Sequence, residues 1–153
     1  MLWEPGTIMQ IQLPQGASMG SGEAINNRGA VVGTAYFPDF LSAERSAGYV
    51  WHEGRATELR SPLGFTNTGA RDINNHGVVV GLSNSGNPLD PGPQVATIWP
   101  RRGDPADLNT RIADDDPLRP FVRLDAANLI NDRGVIVAVG TDSRNMPNIT
   151  FSR

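Results

Sequence analysis

The chain has no cysteine, only two histidines and no long apolar run. The absence of cysteine excludes disulfides, thiolate metal sites and a cysteine nucleophile. His52 and His76 stand far apart at turn tips, and no His/Cys cluster supplies the three or four protein ligands that zinc needs. No segment approaches the ~18 apolar residues that span a bilayer. The opening Met-Leu-Trp-Glu-Pro-Gly lacks the basic and apolar regions of a signal peptide. A soluble chain with no membrane partner is therefore expected. Basic clusters are also missing: the net charge is −3, and nothing exceeds the pair Arg101-Arg102. A binder of phosphate backbones needs a basic face, so no nucleic-acid partner is expected. There is no Gly-x-Ser-x-Gly elbow, no His-Glu-x-x-His and no phosphate-binding glycine loop. Nothing in the sequence implies a cofactor.

What is present is a repeat. Ala24-Ile-Asn-Asn-Arg-Gly-Ala-Val-Val-Gly33 returns as Asp72-Ile-Asn-Asn-His-Gly-Val-Val-Val-Gly81 and again as Leu129-Ile-Asn-Asp-Arg-Gly-Val-Ile-Val-Ala138. Trp3, Trp51 and Trp99 keep the same step, 48 residues apart. A period of this size marks a repeat architecture. The 17 glycines and 12 prolines among 153 residues punctuate turns, since they follow no collagen period.

Each unit reads as four strands. In the middle unit the first strand is 66–74, and Asn-x-x-Gly is the turn that follows. The β-branched run 78–82 is the second strand, 94–99 the third and 105–108 a short fourth. The first unit repeats this order with strands at 22–26, 30–35, 48–51 and 55–59. The third has strands at 126–131, 135–139 and 148–151, and then the chain stops. The missing strand stands at the other end: Trp3 and Gly6 match Trp51 and Gly54, and 8–13 matches the fourth strand. One all-β domain is expected, divided into closing strands (1–13) and repeats at 14–61, 62–110 and 111–153. The three tryptophans are expected to fill gaps between neighbouring sheets.

The Ile-Asn-Asn/Asp-x-Gly-x-Val-Val-Gly core, a later aromatic-Trp strand, then Gly and a final Leu resemble the HAF-type repeats of bacterial extracellular proteins. The name-giving His-Ala-Phe is replaced here by the residues before Trp51, Trp99 and Phe151. The resemblance covers nearly the whole chain. It implies a β-propeller-like fold and an extracellular or surface location, and it carries no defined activity. Three blades are few, because propellers usually have 4–8. The N-terminal strand is expected to close the last repeat, within one chain or between two. Two chains joined as a six-bladed homodimer are the favoured solution; a piece of a larger propeller and three sheets packed alone as a triangular prism are the alternatives.

In a propeller the first strand of each unit lines the central channel. Its in-register polar residues, Glu23, Arg71 and Asn128, with Asp72 beside Arg71, are the candidate ligand site. Tyr36, Phe37 and Phe40, in the stretch after the second strand, are candidates for a stacking surface. The acidic run Asp114-Asp115-Asp116 lacks EF-hand spacing and reads as a solvated loop. The leading reading is a non-enzymatic binding module for a carbohydrate or a protein. The alternatives are a glycan hydrolase or lyase using channel carboxylates such as Glu23 and Asp72, and a purely structural repeat segment.

Overall fold

The three decapeptides fold as hairpins for a local reason. In the middle copy the Asn74 side-chain oxygen accepts from the N–H groups of His76 and Val78, each at 3.0 Å. Asn26 and Asn131 cap their own turns in the same way. The turn closes at Gly77, whose φ of 81° is left-handed. A β-branched residue there is strained by about 2 kcal/mol, which at this chain length lowers Tm by roughly 4–8 °C. Gly77→Val should show that loss by calorimetry, whereas His76→Ala, an exposed tip, should change Tm little. Equal shifts would contradict the turn.

The structure, a computed structural model, describes residues 1–38, 45–86, 92–144 and 150–152. β1 (Leu2–Glu4) and β2 (Thr7–Met9) form a small hairpin. β3 (Met19–Ile25), β4 (Val31–Phe37), β5 (Arg45–His52) and β6 (Arg55–Glu58) form the first sheet. β7 (Asn67–Ile73), β8 (Val79–Asn84), β9 (Gln94–Trp99) and β10 (Ala106–Asp107) form the second, and a 3-10 turn (Leu108–Arg111) follows. β11 (Val122–Ile130), β12 (Ile136–Asp142) and β13 (Thr150–Ser152) form the third. All pairings are antiparallel, and strands within each sheet lie in chain order. The chain is all-β, as the sequence indicates.

The sheets stack face to face. Val32 of the first sheet packs with Ala70, Ile73, Val79 and Trp99 of the second. Val80 and Ala96 of the second pack with Ala127 and Ile130 of the third. On the opposite face of the first sheet, Val31, Tyr49 and Trp51 are covered by Leu2, Ile11 and Leu13 from the N-terminal segment. Equivalent aliphatic residues close each junction: Ile11, Leu59 and Leu108 each follow a fourth strand and pack into successive clusters. Full burial of each large aliphatic contributes about 1.5–3 kcal/mol, so these three clusters hold the stack together.

The N-terminal hairpin has the register of a third and fourth strand. Trp3 faces Ile8 as Trp51 faces Ala56, one period on. Among the described residues it does not close the last repeat within the chain: β1 pairs only with β2, and β13 only with β12. Trp3 also departs from its expected burial: it is 70% exposed, whereas Trp51 and Trp99 are each 4% exposed. The two buried tryptophans lie in complete four-stranded sheets, and Trp3 does not.

A ladder of polar bonds runs along the turns. Asn26 Nδ2 donates to the Asn74 carbonyl at 3.0 Å, and the Asn27 N–H donates to Asn75 Oδ1 at 2.8 Å. One junction further, Asn74 Nδ2 donates to the Asn131 carbonyl at 3.1 Å, and the Asn75 N–H to Asp132 Oδ1 at 2.8 Å. The donation from Asn75 holds the Asp132 carboxyl below its ordinary pKa. The consensus asparagines thus have two duties, capping their own turn and gripping the next.

Candidate binding groove

Each first strand carries a β-bulge, and the bulges place the candidate residues. Register shifts fall between Gly22 and Ala24, Ala70 and Asp72, and Ala127 and Leu129. Glu23, Arg71 and Asn128 are the extra residues at those three points. A bulge leaves its residue out of the ladder and re-aims the side chain. Strands β3, β7 and β11 are sheet edges that adjoin one another. The three residues therefore sit in register along one side of the stack.

Two of them meet in a groove. A cavity of about 410 Å³ between the first and second sheets is lined by Glu23, Tyr36, Ser46, Arg71, Asn84 and Gln94, among others. Its floor is fixed by two bonds that cross between sheets. The Ser46 N–H donates to Asn67 Oδ1 at 2.9 Å, and the Gly48 N–H to Thr68 Oγ1 at 2.8 Å. Asn67 and Thr68 are buried. Ser21 Oγ donates to Glu23 Oε1 at 2.7 Å, and the Tyr49 hydroxyl donates to the Ser21 carbonyl at 3.0 Å. Burial, and then the nearby Glu23 charge, push the Tyr49 hydroxyl above its usual pKa. Arg71 is exposed and forms no ion pair among the described residues.

The other candidates fall elsewhere. Asn128 is outside this groove, one junction further along. Asp72 is occupied with structure: Oδ1 accepts from the Ile73 N–H at 2.8 Å, and Oδ2 accepts from the Ile130 N–H of the third sheet at 2.7 Å. It does not line the cavity that Glu23 lines. Phe37 is in the core, with the Arg45 guanidinium 4.0 Å over its ring. Phe40 lies outside the described residues. The acidic run is local architecture, since Asp114 pairs with Arg119 and Asp116 accepts from the Leu118 N–H. No group of three or more metal-binding side chains occurs among the described residues.

Sequence reasoning missed Ser46, Asn84 and Gln94. They lie at strand ends beside loops: Asn84 and Gln94 face each other across β8 and β9, and the stacking of the first sheet brings Ser46 to the same cavity. Their one sequence signal was polarity at the edge of an apolar run. No protein-family model matches the sequence, and no curated protein or solved structure matches it significantly.

Proposed function

We propose that the chain is a non-catalytic binding module, built on propeller-like repeats, that holds a carbohydrate in the groove between its first two sheets. The observation that carries this reading is the convergence of Glu23, Tyr36 and Arg71 on one cavity. Binding sites typically combine a concave shape with a few fixed polar groups. Here a carboxylate, a guanidinium, amides and a hydroxyl surround the space, and Tyr36 brings an aromatic ring to its lining. Such a set suits a ligand rich in hydroxyl groups. The paired-carboxylate alternative is weaker, because hydrolysis needs two carboxyls flanking one bond. Asp72 spends both oxygens on backbone N–H groups and is absent from the groove.

The reading is tested by screening the chain against a glycan array and then titrating the best glycan by calorimetry. Arg71→Ala should weaken binding about tenfold or more, the loss of a charge-assisted hydrogen bond of about 1.5–3 kcal/mol. Tm should hold, because Arg71 is exposed and makes no ion pair among the described residues. No glycan bound, or full affinity in Arg71→Ala and Glu23→Gln, would contradict the reading.

A further inference from the structure

The stack ends twice on half of its own repeating interface. At the third sheet, Asn131 Nδ2 and the Asp132 N–H have no partner among the described residues, although the equivalent groups of the first two repeats each donate to the next turn. At the first sheet, Asn27 Oδ1 accepts nothing among the described residues, although Asn75 Oδ1 and Asp132 Oδ1 each accept from the turn before. One end therefore presents donors and the other presents the acceptors those donors use at both internal junctions.

The apolar positions repeat the pattern. Ile73 and Ile130 are 5% and 8% exposed against the preceding sheet, and their equivalent Ile25 is 55% exposed. On the far face of the third sheet Leu129 is 58% exposed, and Val139 is exposed beside it. Leu129 and Val137 pair across β11 and β12, so they share that face. Val32 and Val80, the equivalents of Val137, are fully buried.

The N-terminal end shows a third defect. Trp99 Nε1 donates to the Arg60 carbonyl at 2.8 Å. Trp51 Nε1 is buried with no partner among the described residues. The residue one period before Arg60 is Gln12, which lines an open cleft of about 900 Å³ between the N-terminal segment and the first sheet. The hairpin thus has the register of an outer half-layer with no inner strand beside it among the described residues, and it does not deliver the acceptor. An orphaned buried donor costs roughly 1–3 kcal/mol, and a strand edge left open invites pairing.

We propose that these two ends are one interface cut in half, filled by a second copy of this chain docked head to tail. The partner supplies β11 and β12 as the inner strands, and β1 takes the third-strand place beside β12 that β13 fills in the single chain. Its Leu129, Val137 and Val139 then cover Ile25, and its Asn131 and Asp132 donors meet the Asn26 carbonyl and Asn27 Oδ1. Trp3 becomes enclosed. Two such contacts about a twofold axis place six sheets in a ring. The glycan groove lies between other sheets, so this proposal stands apart from the binding reading.

Light scattering behind a sizing column tests it. The wild-type chain should run at twice its 16.4 kDa mass. Leu129→Asp at one end and Ile25→Asp at the other should each give a monomer, with Trp3 emission shifted to the red. Both side chains are exposed in the single chain, so the monomers should melt cooperatively. Mixing the two variants should restore a 1:1 complex, because one intact contact remains. Should an aspartate variant fail to fold, Asn27→Ala and Leu129→Asn make the same comparison more mildly. A monomeric wild type would overturn the proposal. So would single variants that keep the dimer mass, or a mixture that forms no complex.

Discussion

Gly81→Ala should fail to give a folded chain, although it adds one methyl group to a sheet. An ideal Cβ at Gly81 would stand 2.0 Å from the Gly69 carbonyl oxygen and 3.0 Å from its carbon. Those are backbone atoms, held by the bulge that displaces Arg71, so they cannot rotate aside as a side chain would. Gly33 meets the Ser21 carbonyl at 1.8 Å in the same way, and Gly140 meets that of Arg123 at 2.2 Å. Relief would require removing the bulge, which would slip β7 against β8 and turn its buried face outward. The expected cost exceeds about 4 kcal/mol, at the severe end for single substitutions, against a total stability of roughly 5–15 kcal/mol. Gly22→Ala is the control, since its Cβ would meet only Val31 Cγ1 at 3.6 Å. Near-ultraviolet circular dichroism should show native tertiary structure for Gly22→Ala and its loss for Gly81→Ala. A folded Gly81→Ala melting within a few degrees of wild type would refute the close approach.

Asn74→Ala should be the second most damaging change. The Asn74 side chain is buried and engages three groups: the N–H of His76, the N–H of Val78 and the carbonyl of Asn131. Truncation leaves these groups short of a partner. At roughly 1 kcal/mol for each lost bond the total is about 3 kcal/mol, or a Tm lower by roughly 6–12 °C. Asn131→Ala is the internal comparison. It removes the same two turn bonds, but its Nδ2 grips nothing among the described residues, and the residue is exposed. Its loss should be smaller by about a third to a half. Thermal melts of both variants at a concentration where the chain is monomeric would decide this. Equal losses would mean that the bond between turns adds nothing.

Much of this fold was legible because repeats expose their own rules. The Asn-x-x-Gly turns, the β-branched second strands and the Trp-ended third strands all fell where residue type required them. The likeness of the N-terminal hairpin to a third and fourth strand was legible too, because Trp3 and Gly6 copy Trp51 and Gly54. Other features were hidden for physical reasons. The glycine of Val-Val-Gly falls inside the second strand on the sequence alone, but the reason for it, a carbonyl across the ladder, does not show there. In the third unit Ala138 takes that position and Gly140 meets the carbonyl instead, because β11 has a second bulge between Leu124 and Ala126. Bulge positions depend on pairing register, which no single strand encodes. The asparagines were legible as turn formers and not as links between turns, because the second role appears only when turns stack. Among the candidate residues, Glu23, Arg71 and Asn128 share a register, each at a bulge of a first strand. Phe37 followed its hydrophobicity into the core, and Asp72 turned from candidate ligand to structural brace once β11 lay beside it.

Hydrogen exchange at three backbone amides tests the continuity of the ladder most directly. Asn27, Asn75 and Asp132 occupy the same place in three turns, where an amide without a partner exchanges quickly. The Asn27 and Asn75 amides each donate at 2.8 Å to the next turn, and the Asp132 amide has no partner among the described residues. In the Leu129→Asp monomer, Asn27 and Asn75 should be protected and Asp132 should exchange at the rate of an open turn. If all three exchange equally fast, the repeats are not joined through their asparagines.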